Sequence, residues 1–178
     1  MTGPAPAGGS YTITMALSPL AAALPISGAT AYPRSRQLLT LQQTGVAPVT
    51  IPQTFFFDSQ SLAIIQAAYD DNTCSVATSN AALPSSAVVG ASGALYSLSD
   101  LAGCTSGAAA TGTTRTTWSL ENDAGVVLLC WNATGKDLTG AVIGTVASCV
   151  QVAADGSLGT KARLTLAADG FTTTARNC

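Results

Sequence analysis

The sequence predicts a mainly β protein, an antiparallel β-sandwich or jelly-roll-like fold with room for one short helix. Apolar and polar residues alternate with a period of two in several stretches, as side chains on a half-buried strand must. The runs are punctuated by Asn122-Asp-Ala-Gly125, Thr134-Gly135, Asp155-Gly156 and Asp169-Gly170, residue pairs that tolerate the positive φ of tight hairpins. Between them the chain is dominated by Ala, Thr, Ser, Gly, Leu and Val, and only 9% of it is charged, against about 25% in an ordinary soluble domain.

The elements follow in order. Residues 1–10 hold two prolines, three glycines and no charge, which suits an arm. Tyr11, Ile13, Met15 and Leu17 then share one face of a strand, with Thr12, Thr14 and Ala16 on the other. Ser61 to Tyr69 is apolar between turn signals and reads as a buried strand; a helix capped by Asp58 or Ser59 is the alternative. The Ala-, Ser- and Gly-rich stretch 75–112 reads as loops with short strands. Thr114, Thr116, Trp118 and Leu120 alternate against Thr113, Arg115, Thr117 and Ser119, and Ala162, Leu164 and Leu166 against Lys161, Arg163 and Thr165. The apolar runs Val126 to Trp131 and Ala141 to Val152 read as more deeply buried strands. This pattern divides the chain into an N-terminal arm or strand at 1–17, a β-rich domain at 18–108 and an antiparallel meander at 109–178, packed on that domain or continuous with it.

The chain has no histidine, seven Lys and Arg, and nine Asp and Glu. Without histidine the commonest general base and metal ligand is missing. A serine or cysteine nucleophile would depend on Lys136 or Lys161, and neither lies in a recognisable motif. Gly90-Ala-Ser-Gly-Ala94 lacks the second glycine of a nucleophile elbow. Asp70, Asp71, Glu121 and Asp123 offer no spacing that marks a carboxylate pair, and Asp70-Asp71-Asn72 is not followed by the spaced ligands of a calcium loop. The sequence therefore predicts no catalytic residue, no cofactor and no metal. Basic residues are not clustered, which argues against a nucleic-acid partner. Pro19 and Pro25 interrupt the apolar stretch Met15 to Leu24, about half the length of a membrane-spanning helix, so no membrane insertion is expected. A signal segment ending near Ala31 is the alternative for this region.

Five cysteines, Cys74, Cys104, Cys130, Cys149 and Cys178, contain no C-x-x-C pair, which disfavours a zinc or iron–sulfur site. Cys74 and Cys104 lie among turn-forming residues and are the first disulfide candidates. Cys149 with Cys178 is the second, a staple for the end of the sequence, and Cys130 is expected to be a small buried hydrophobe. Disulfides would place the chain in an oxidising compartment or in a particle that matures outside the cell.

The segment Thr54-Phe-Phe-Phe-Asp-Ser-Gln-Ser-Leu-Ala-Ile-Ile-Gln-Ala-Ala-Tyr-Asp-Asp-Asn72 resembles a pattern in small virion-associated proteins of tailed bacteriophages. In that pattern an aromatic strand ending in Asp precedes an apolar strand with Ile-Gln and a Tyr-x-Asp-Asn turn. Ile65-Gln66, Tyr69-Asp70-Asp71-Asn72 and the later Pro84, Gly93 and Tyr96 carry the resemblance, which extends over residues 54–98. Ala67 and Ala68 depart from it, standing where bulkier strand residues are usual, as do the cysteines. The resemblance implies a β-rich, non-enzymatic component of a virus particle, such as a capsid decoration or a head- or tail-associated subunit. Its partners would be copies of itself and other virion proteins. The low charge, which suits packing in an assembly better than a free monomer, fits that expectation. It fits equally a secreted bacterial surface or filament subunit, pilin-like and stabilised by disulfides. In either case Tyr11, Ile13, Met15 and Leu17 are the assembly candidates, as a strand that adds to a neighbour's sheet.

Overall fold

The computed structural model describes every residue except 5–9, 27, 44, 62, 169 and 178, and the side chains of Pro4, Ser10 and Tyr11 also lie outside the description. It corrects the expected sandwich or jelly roll: the strands form a closed antiparallel barrel, and among the described residues there is no helix. The twelve strands are β1 Thr2–Pro4, β2 Ser10–Ala23, β3 Tyr32–Gln43, β4 Val49–Phe57, β5 Ile64–Tyr69, β6 Cys74–Asn80, β7 Ser92–Leu101, β8 Ala110–Asp123, β9 Val126–Asp137, β10 Val142–Val152, β11 Leu158–Ala168 and β12 Phe171–Asn177. Each pairs with its neighbours in sequence, and β1 bridges β2 to β12. A sandwich and a barrel share the same alternation, because both bury one face of every strand. The order of pairing separates them: here every connection is local and the ring closes on itself.

Following the register round the ring sorts the side chains into two faces. Ile13, Ala67, Leu98, Thr116, Trp118, Leu164, Thr173 and Ala175 lie on the first face and are all buried. Ile13, Leu164 and Ala175 pack together with Met1, Leu39, Leu41 and Leu166. This is the inward face: Ile51 of β4 and Ile143 of β10, on opposite sides of the ring, line one cavity. All seven cations, Arg34, Arg36, Arg115, Lys136, Lys161, Arg163 and Arg176, fall on the second, outward face with most of the threonines. The inward face thus carries much of the buried apolar core and the outward face all the cations, as expected of a sheet closed on itself.

Hairpin chemistry recurs along the chain. The Asp71 carboxylate accepts hydrogen bonds from the backbone N–H and hydroxyl of Thr73, Asp137 from those of Thr139, and Asp155 from those of Ser157. These side-chain caps close the turns and hold all three carboxyls below their ordinary pKa. Thr134-Gly135, expected to be a turn, lies inside β9, because that hairpin turns later, between Asp137 and Val142. The turn expected at Asp169-Gly170 involves Asp169, which lies outside the described residues.

At the β8–β9 hairpin both central residues have positive φ, Ala124 at 51° and Gly125 at 85°. An alanine there carries a Cβ that crowds the backbone, at a cost of about 1 kcal/mol. Replacing Ala124 with Asn or Gly is expected to stabilise the protein by about 0.5–1 kcal/mol, read as a raised denaturant midpoint at unchanged slope. A lowered midpoint would contradict the left-handed assignment.

Candidate functional site

Two outward patches are shielded rather than solvated. In the first, Phe56 and Gln66 are buried beneath the connection between β2 and β3. Ile26 N–H donates to Gln66 Oε1 at 2.7 Å, and the Arg34 guanidinium lies 5.6 Å from the Phe56 ring centroid. In the second, Leu128, Cys130 and Cys149 form a small core, and Arg163 lies across it, with Nη2 3.3 Å from Cys149 Sγ and 3.6 Å from Cys130 Sγ. The same guanidinium donates to Glu121 and Asp123, and Asp123 also pairs with Arg176. These contacts join β8 to β11 and β12 across intervening strands. The hydrogen bond from Arg163 lowers the Glu121 pKa, against a smaller opposing effect of burial.

The cysteines pair within these regions. Cys74 is bonded to Cys104. Cys149 is bonded to Cys130, which corrects both the expected Cys149–Cys178 bridge and the reading of Cys130 as a free buried hydrophobe. The two residues face each other on β9 and β10 with Cα atoms 4.0 Å apart. Cys178 lies outside the described residues. Glu121 with Cys130 and Cys149 is the grouping of potential metal-ligand atoms among the described residues. Its sulfurs are joined to each other, so it offers no thiolate.

Each end of the barrel interior holds a cavity. One, of about 490 Å³, is walled by Trp118, Leu120, Val127, Leu129 and Val152 and faced by Leu83, Pro84 and Val89 from the connection between β6 and β7. Gly93 makes room there: a Cβ at this position would stand 2.7 Å from Trp118 Nε1.

The other cavity, also about 490 Å³, is walled by Ile51, Pro52, Leu101 and Ile143 and has a polar wall of Tyr69, Ser75, Asp100 and Thr114. Ser75 Oγ lies 2.6 Å from Asp100 Oδ1, and Thr114 Oγ1 donates to Asp100 Oδ2 at 2.9 Å. Since the Ser75 proton is directed to the carboxylate, the 3.4 Å contact between Tyr69 and Ser75 has the phenol as donor. Burial pushes the Tyr69 pKa up, and Asp100, Tyr96 and Asp71 push it the same way. Neighbouring strands β5 to β8 supply these groups, so register alone assembles them. At this cavity's rim Asp70 pairs with Arg36.

The predicted assembly residues all lie on β2. Ile13 is in the core, whereas Met15 and Leu17 are exposed, and Tyr11 is paired with Gln43 through its backbone. β1 pairs with β2 only at Ser10 to Thr12, and Met1 exchanges backbone hydrogen bonds with Ile13. Beyond Ile13, among the described residues, β2 is laddered to β3 alone, and Thr14 to Ala22 are all exposed. This is a free strand edge. Pro19, which has no N–H to offer, sits within it.

No family model, curated protein or solved structure matches the chain.

Proposed function

We propose that the protein is a non-enzymatic structural subunit of a virus particle that works by self-association through β2. The free edge from Thr14 to Ala22 carries the proposal. It offers unpaired backbone groups beside two exposed apolar side chains, Met15 and Leu17, with relative exposures of 36% and 66%. An added strand from a second copy would satisfy those groups and cover the apolar pair. Weakly charged threonine- and serine-rich surfaces suit such lateral packing.

Sedimentation across a concentration series tests the reading. The intact chain is expected to associate, and Leu17→Pro combined with Met15→Lys to remain monomeric with an unchanged circular dichroism spectrum, because the backbone groups of these alternate residues face the edge as those of Ile13 face Met1. An intact chain that stays monomeric at every concentration, or a double variant that associates equally well, overturns it. The two disulfides also favour a secreted surface or filament subunit, since both settings are oxidising. Immunogold electron microscopy of the native source separates particle from filament.

A further inference from the structure

We infer that the cavity beside Asp100 is a binding site for a small organic cation, an amine carried on an apolar body. The first support is the direction of the hydrogen bonds. Ser75 and Thr114 both give their protons to Asp100, and Tyr69 gives its proton to Ser75. Each carboxylate oxygen therefore has one donor and keeps a lone pair, and the capacity left on Asp100 is for accepting. The second is charge. Asp70, Asp71 and Asp100 line the cavity and no lysine or arginine does; Asp70 is paired with Arg36, but the structure gives Asp100 hydroxyl donors alone. An ammonium group would supply both the missing donor and the missing charge.

The third support is the shape of the remainder. Ile51, Pro52, Leu101 and Ile143 give the cavity an apolar lining beside the carboxylate, the combination expected of a small-molecule site. Ile51 and Ile143 are 41% and 57% exposed, so the cavity opens to solvent past them. Thr116, the next inward residue of β8 after Thr114, is buried with its hydroxyl unpartnered, a polar group left over within the same interior. An anion would meet three carboxylates and is excluded. A neutral alcohol could use the hydrogen bond but not the charge.

Calorimetric titration of the full chain with benzylammonium, benzyl alcohol and benzoate tests the site. Saturable binding of benzylammonium is expected, at least tenfold tighter than benzyl alcohol, with no binding of benzoate. Asp100→Asn is expected to weaken benzylammonium at least tenfold and to leave benzyl alcohol within about twofold. Ile143→Lys keeps the carboxylate, places a competing cation on the cavity's lining and should weaken benzylammonium at least tenfold while leaving benzyl alcohol within about twofold, which keeps the test decisive if Asp100→Asn fails to fold. Absence of saturable benzylammonium binding, equal binding of the alcohol or of benzoate, or unchanged amine binding in either folded variant overturns the proposal.

Discussion

Removing the two disulfides together is expected to lower the stability of the barrel by on the order of 6 kcal/mol and its melting temperature by about 15 °C or more. The bonds span 30 and 19 residues, and in the chain-entropy model such loops contribute about 3.5 and about 3 kcal/mol respectively. Four alanine substitutions make the comparison, since Cys74, Cys130 and Cys149 are almost wholly buried and reductants reach them poorly in the folded state. The variant lacking Cys130 and Cys149 should lose slightly more than loop closure alone implies, because Arg163 then covers a void instead of two sulfurs. A quadruple variant melting within a few degrees of the parent would show that neither bond restrains the unfolded chain.

Arg163→Met should cost about 2 kcal/mol at neutral pH and should flatten the acid limb of the stability curve. The figure is below the 3–5 kcal/mol of a fully buried pair. The Arg163 side chain is only 17% exposed, but its partner Glu121 is 37% exposed and the attraction is screened. The sign of the pH effect follows from Glu121, whose pKa is lowered from 4.5, first by the hydrogen bond from Arg163. A carboxyl depressed on folding contributes stability that is fully present above its unfolded pKa and is lost as the pH falls through its folded value. The parent should therefore lose stability as the pH drops below about 4.5, and Arg163→Met should lose less over the same interval. Urea midpoints measured from pH 7 to pH 3 supply the comparison, and parallel curves would rule out this coupling.

The strands themselves were legible. Tyr11 to Leu17, Thr113 to Leu120, Val126 to Trp131 and Lys161 to Leu166 all lie in strands, and Ile64–Tyr69 is a strand rather than a helix. Closure was not legible: it depends on β1, whose three residues are too few to show any period. The Cys130–Cys149 bond was hidden by one residue. Pairing β9 and β10 as they start, with Val142 opposite Lys136, would set Cys130 against Ser148. A bulge between Val142 and Gly144 shifts the ladder by one and brings Cys149 opposite instead. No feature of the apolar run 141–152 announces that bulge. The wall of Tyr69, Ser75, Asp100 and Thr114 was missed for a related reason, since its members come from four strands and meet only through their register.

The three residues of β1 also set where this ring is weakest. Every other junction is a ladder of at least three registered pairs running back from a hairpin, whereas β1 meets β12 at a single registered pair, Thr2 with Arg176. Hairpins can form early because their loops are short, and the junction between the two ends of the chain must wait for everything between them. The barrel therefore behaves as a clasped band rather than a rigid tube. It fastens last at the clasp, it unfastens first there, and an unfastened band presents β12 on one side and β1 with the free part of β2 on the other as two complementary edges.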